Sequence, residues 1–285
     1  MESQLLNQDL EVCMLDRAGL TAAKRIVVKV GTSSITYENG RMNLGNIERL
    51  CRAISDQMNQ GREIVLVSSG AIAVGMSKLH MTERPKNIRE KQAFAAIGQC
   101  DLMNVYSRTF AQFGYIVGQI MLTRDDIDDP VTLHNIKNTF GALIERQVVP
   151  VVNENDTVST KEVYHNGTFG DNDALSAVVA KMVDADLLIL LSDIDGLYDS
   201  DPHSNQHACL ISDVSHLTPE ITAGASGAGS RRGKGGMVSK LSAASIAMGA
   251  GIDMVISNGA RPHEIQNIID GEPIGTLFRK SATIE

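Results

Sequence analysis

The chain alternates short apolar runs with longer stretches in which apolar residues recur every three or four positions. Ile26-Val27-Val28-Lys29-Val30 predicts a strand that stops at Gly31. Over residues 43–59, Leu44, Ile47, Leu50, Cys51, Ile54 and Met58 fall at helical spacing. Ile64-Val65-Leu66-Val67 predicts the next strand, with Ser68-Ser69-Gly70 directly behind it and a small-residue helix opening at Ala71. Residues 88–113 predict one long helix or a broken pair. Strands follow at 116–121, 148–152, 187–191 and 252–256, and helices at 132–146, 171–183, 236–248 and 262–269. Several strands are apolar at consecutive positions, as in a sheet covered on both faces. Strand–helix alternation then predicts an α/β fold, a three-layer αβα sandwich around a mostly parallel sheet.

Residues 1–23 are less regular, interrupted by Asp9, Glu11 and Asp16. They predict an N-terminal extension, followed by one domain over 24–279 and a short tail over 280–285. Ala223 to Ser230 is rich in Gly, Ala and Ser, and 223–234 is expected to be a loop that orders with a ligand.

Composition narrows the function. A net charge of −8 argues against nucleic acid or an anionic membrane surface as main partner. The absence of Trp, with aromatics at 4%, weakens a base-stacking surface. Cys13, Cys51, Cys100 and Cys209 show no paired or zinc-type spacing, no secretory leader is evident, and no apolar run reaches membrane-spanning length. A reduced, cytoplasmic compartment is expected. Scattered histidines and the lack of a G-x-S-x-G elbow give no nucleophilic triad. Neither GxxxxGK[ST] nor a GxGxxG after the first strand is present.

What remains is a set of polar strand ends. In open parallel sheets, ligands bind beyond the carboxyl ends of strands. Those ends here are Gly31-Thr32-Ser33, Ser68-Ser69-Gly70, Asn153-Glu154-Asn155-Asp156 and Ser192-Asp193. Lys29 lies inside an apolar strand, where an ammonium needs an anionic partner. Ser69 reads as an anion contact, as the N-cap of the helix behind it, or as both at once. Two knots, Asn153 to Asp156 and Gly170-Asp171-Asn172-Asp173, hold four carboxylates and three amides. They lack the spacing of a calcium loop and the ligands of a zinc site, so no metal ligands are predicted. An ammonium group, or lysines held in position, suits Asp mixed with Asn, and Asp171 reads as a helix cap. The segment Ser230-Arg231-Arg232-Gly233-Lys234-Gly235-Gly236-Met237-Val238-Ser239-Lys240 combines cations, glycines and a helix start, the physics of a phosphate cradle.

In this order, from about Lys24 to Phe278, these motifs resemble the amino-acid kinase family. The paired NEND and GDND knots resemble its glutamate-phosphorylating branch. Val28-Lys29-Val30-Gly31-Thr32-Ser33, Val67-Ser68-Ser69-Gly70-Ala71-Ile72-Ala73, Ser192-Asp193 with Gly196-Leu197-Tyr198, and Gly275-Thr276-Leu277-Phe278 carry the rest. The resemblance implies transfer of the ATP γ-phosphoryl group to the γ-carboxylate of L-glutamate, the first step of proline biosynthesis, with Mg²⁺ carried by the nucleotide. It implies catalytic roles for Lys29, Lys240 and Asp173, with Asp173 orienting the lysines. Glutamate contacts fall on Ser69, Asp156 and Asn172. ATP contacts fall on Lys29, Ser192, Asp193, Lys234, Gly235, Gly236, Met237, Val238, Ser239 and Lys240. Proline as feedback inhibitor and a homo-oligomer, dimer or tetramer, are further expectations. So is the absence of the C-terminal PUA domain that many members carry. Another carboxylate or carbamate kinase of the same fold, and a silent amino-acid sensor, are the competing readings.

Overall fold

The structure is a computed structural model describing residues 17–81, 83, 85–158, 172–202, 204–224 and 236–281. Among the described residues, ten strands run in chain order: β1 Arg25–Val30, β2 Glu63–Ser68, β3 Val117–Leu122, β4 Val149–Glu154, β5 Leu187–Ser192, β6 Leu197–Tyr198, β7 Leu210–Ile211, β8 Asp213–Val214, β9 Asp253–Asn258 and β10 Thr276–Phe278. Among the same residues, ten α-helices accompany them: α1 Thr32–Ile35, α2 Leu44–Asn59, α3 Ala71–Lys78, α4 Ile88–Gln112, α5 Arg124–Asp128, α6 Pro130–Glu145, α7 Asn172–Met182, α8 Pro219–Gly224, α9 Met237–Gly249 and α10 Glu264–Ile269.

Eight strands form one sheet in the order β3-β4-β2-β1-β5-β9-β10-β8. Pairings are parallel except β10 with β9. Parity along β1 separates two cores. Ile26, Val28 and Val30 pack on one face with α2, α3, α4 and α10. Val27 packs on the other with α6, α7 and α9. Lys29 shares the parity of Val27, so its side chain leaves β1 toward the α7 and α9 layer. The expected αβα sandwich is therefore present, and its core lies on both sides of a central β1.

Several elements begin as their chemistry dictates. Asn43 caps α2 by accepting from the Asn46 N–H, and Asn87 caps α4 by accepting from the Glu90 N–H. Leu44, counted on the apolar face of α2, is exposed at its first position. The stretch 88–113 is one helix of 25 residues, not a broken pair. Gly98 inside it has a packing reason: a Cβ there would lie 1.7 Å from Ala71 O, so α4 and α3 are in backbone contact.

The end of the expected N-terminal extension is packed into the domain. Leu20 and Ala23 join the core. The buried Arg17 guanidinium donates to the carbonyls of Ser212, Glu272, Ile274 and Gly275. Burial lowers its pKa, against a smaller opposing pull from Asp213. Among the described residues, no helix is long and apolar enough to cross a membrane.

Candidate active site

The direction of the sheet reverses its strand order at β1: β2 and β4 lie on one side, β5 and β9 on the other. Such a switch point opens a crevice beyond the strand ends. Val30 pairs with Ser68 and with Leu191, and Ser192 pairs with Asn258, so these carboxyl ends are level.

Two polar clusters occupy this edge. The first centres on Asp173, the second residue of α7. Lys29 Nζ lies 2.5 Å from Asp173 Oδ1, and Lys240 Nζ, from α9, lies 3.2 Å from Oδ2. Lys29, Lys240 and Asp173 are 5%, 5% and 0% exposed. Ser239 Oγ, 3.0 Å from Oδ2, donates to the same carboxylate and lies equally close to Gly236 O. Asp173 Oδ1 meets Lys29 as an ion pair without a well-directed hydrogen bond. Burial by itself pushes the Asp173 carboxyl up. The two ammonium groups outweigh that and hold it down at about 2, from an ordinary 3.8. Asp173 thus holds two ammonium groups close together, fixed in place and shielded from water.

The second cluster is built of amides and hydroxyls. Asn172, first residue of α7, donates from Nδ2 to Ser68 O at 3.0 Å, Ser69 Oγ at 2.8 Å and Asn153 Oδ1 at 2.9 Å. Asn153 also accepts from the Glu154 N–H and donates to Gln99 Oε1, both at 2.9 Å. Tyr106 OH lies 2.8 Å from Ser68 Oγ. Burial raises the Tyr106 phenol, which keeps it protonated. Since Asn172 and Asp173 are consecutive, the start of α7 holds the two clusters side by side.

Not every expected residue behaves as the sequence suggested. Ser69 does not cap α3. Gly70 takes the N-cap position with φ of +93°, a left-handed conformation suited to glycine, and no side chain caps the helix. The Ser69 hydroxyl is thereby left to accept from Asn172. Asp156 lies half-buried beyond the end of β4. Buried Ser192 closes β5, and its hydroxyl donates to the exposed Asp193 at 3.1 Å. The Gly259 N–H donates to Ser192 O at 2.6 Å. Gly236 precedes α9, Met237 is buried in the core and Val238 is exposed. Lys234 and Gly235 lie outside the described residues, as do Asp171 and most of 223–234; Ala223 and Gly224 close α8. Asn153 and Gln99 had no role read from sequence. The first stood in plain view at a strand end, whereas nothing in the spacing of α4 singles out one glutamine. Among the described residues, no group of three or more His, Cys, Asp or Glu could hold a metal ion.

Comparison with known proteins finds relatives in sequence and in fold. The family model described as the amino acid kinase family covers residues 24–258. A glutamate 5-kinase from Clostridium perfringens is 53% identical over 92% of this chain and 97% of its own. One from Listeria monocytogenes serovar 1/2a is 52% identical over 92% of this chain and 95% of its own. Among solved structures, carbamate kinase from Giardia lamblia bound to AMP-PNP has a TM-score of 0.62 at 17% identity, over 92% of this chain and 100% of that one. An isopentenyl phosphate kinase has a TM-score of 0.61 at 18% identity, over 89% of this chain and 99% of that one. Such low identity speaks for the fold alone. The sequence matches go further, and with them the chain belongs to the amino acid kinase family.

Proposed function

We propose that the chain phosphorylates the γ-carboxylate of L-glutamate with ATP, giving γ-glutamyl phosphate and ADP, the reaction of a glutamate 5-kinase that opens proline biosynthesis. The observation that carries this reading is the pair of buried lysines held on Asp173, directly beside the amide cluster of Asn172. Relatives that bear that name share half of the sequence.

The attacking group is a carboxylate, which with a pKa of about 4.3 is ionised at pH 7 and needs no general base. One of its oxygens forms a bond to the γ-phosphorus as the bond to the β–γ bridging oxygen breaks, and ADP leaves with that electron pair. The obstacle is bringing anion to anion, so catalysis is positioning and charge stabilisation. Lys29 and Lys240 supply the positive charge. Asp173 fixes both ammonium groups before substrate arrives, so little reorganisation is needed in the transition state. Ser69, Asn172 and Asp156 hold the amino-acid end of glutamate, with the Asp156 carboxylate suited to the α-ammonium. Ser192, Asp193 and the segment from Lys234 to Lys240 take the nucleotide. Mg²⁺, when bound, neutralises phosphate charge; it arrives on the nucleotide, since both Asp173 oxygens are already engaged by cations. A reducing, cytoplasmic setting suits the free thiols Cys51, Cys100 and Cys209.

Trapping with hydroxylamine tests the assignment: glutamate, but neither aspartate nor N-acetylglutamate, should give an acyl hydroxamate in the presence of ATP. Product from another acceptor, or from none, removes it. Proline inhibition and a homo-oligomeric state belong to the same proposal, and are read from the trapping rate with added proline and from sedimentation velocity.

A further inference from the structure

An asparagine side chain presents a donor on one arm and an acceptor on the other, with nearly the same shape. Which arm faces a ligand is decided by the neighbours. Two backbone groups settle the matter here. Ser68 O can only accept, so the Asn172 atom 3.0 Å away is Nδ2. The Glu154 N–H can only donate, so the Asn153 atom 2.9 Å away is Oδ1. Asn153 must then turn its Nδ2 toward α4, where it needs an acceptor. Gln99 Oε1 supplies it at 2.9 Å, with both side chains buried.

We infer that Gln99 is a positioning residue for amino-acid recognition: through Asn153 it fixes Asn172 with its carbonyl oxygen turned toward the substrate. Asn172 Nδ2 is spent on Ser68, Ser69 and Asn153. The planar amide then places Oδ1 on the opposite side. A carbonyl oxygen welcomes an ammonium group and repels a carboxylate, so the relay selects acceptors that carry a protonated α-amino group. This deepens the glutamate reading and rests on it.

The seat of the relay is rigid. Tyr106, two turns after Gln99 on the same face of α4, bonds Ser68 Oγ at 2.8 Å. One helix thus holds the relay at Asn153 and at Ser68. Backbone contact at Gly98 ties that helix to α3, which starts at Ala71, just behind Ser69 and Gly70.

Steady-state kinetics of Gln99→Met and Gln99→Glu test the inference. Methionine keeps the volume and removes the acceptor. It should raise the glutamate KM about tenfold, the loss expected for one misdirected hydrogen bond, with kcat and the ATP KM within about twofold. It should also narrow the preference for glutamate over glutarate, which lacks the amino group. Glutamate keeps an acceptor oxygen at the same place and should restore the KM to within about twofold. Ile268→Val, in the buried core at α10 and outside the relay, is the control for lost stability: it should lower Tm and leave the glutamate KM alone. Should the methionine variant not fold, Gln99→Ser, too short to reach Asn153, carries the same arm. The inference is overturned if the substrate preference is unmoved, if both KM values and kcat shift together, or if Gln99→Glu behaves like Gln99→Met. A parent protein that traps no acyl phosphate from glutamate overturns the functional reading and this inference with it. Trapping by the parent with an unchanged glutamate KM in Gln99→Met overturns this inference alone.

Discussion

Replacing Asp173 with asparagine keeps its shape and removes its charge, leaving Lys29 and Lys240 as two buried ammonium groups without an anion between them. Breaking a buried ion pair in this way costs about 3–5 kcal/mol. A ceiling on that cost follows from the lysines themselves. One of them can shed its proton, and a lysine that titrates near 10.4 in the unfolded chain pays about 4.6 kcal/mol to do so at pH 7. The ceiling drops by about 1.4 kcal/mol per pH unit, to about 2 kcal/mol at pH 9. Urea denaturation of parent and Asp173→Asn at both pH values should therefore show a loss of about 3–4.6 kcal/mol at pH 7 that falls to about 2 kcal/mol or less at pH 9. A loss below about 1 kcal/mol that does not change with pH would refute the reasoning, because the lysines would not then depend on Asp173 for their charge.

Further outcomes follow from the same geometry. Lys29→Ala and Lys240→Ala should each lower kcat by about 10²–10³ while changing the glutamate KM little, and near-normal turnover in both would remove the lysines from the reaction. Asp156→Ala should raise the glutamate KM more than it lowers kcat; an unchanged KM would take Asp156 out of ammonium binding. The Asp173 carboxyl, held at about 2, contributes stability that is complete above the unfolded-state value near 3.9 and vanishes as pH falls through about 2. That contribution, about 2–3 kcal/mol, should appear as an acid slope of the parent's unfolding free energy that Asp173→Asn lacks. Gly98→Ala forces α4 away from Ala71 O and should cost more than the roughly 1 kcal/mol gain in helix propensity returns, seen as a lower Tm.

Much of the sheet was legible because its strands are buried on both faces. Runs such as Leu187 to Leu191 have no polar face to blur them, and β1, β2, β4, β5 and β9 appear within two residues of where the pattern puts them. Strands β8 and β10 carried no such signal. They are two and three residues long, and exist as strands only because β9 and each other are there to pair with. Residues 88–113 read as one helix or a broken pair, and the packing reason for a glycine inside that helix lies in α3, out of reach of the local pattern. At the site, Lys29 and Asp173 announced themselves as charges in apolar settings. Their mutual contact was implied by the family resemblance and not by spacing, for it joins β1 to α7 across more than half the chain. Gln99 was beyond reach: an amide on a helix surface looks like solvent-facing polarity until Asn153 is found against it. Of the two readings of Ser69, the cap is absent because Gly70 takes the N-cap position in a left-handed turn, freeing the hydroxyl.

The Arg17 guanidinium grips carbonyls as far as Gly275, 258 residues away in the chain. On the ribosome, at about 5–20 residues per second, those acceptors emerge about 13 to 50 s after Arg17 itself. Meanwhile β1 waits for β5, and its two apolar faces stay without their final cover. The fold is thus completed from its far end backward, with Arg17 among the last residues to dock. Nascent chains stalled before residue 272 should stay protease-sensitive at Arg17 even when the parallel strands have already formed.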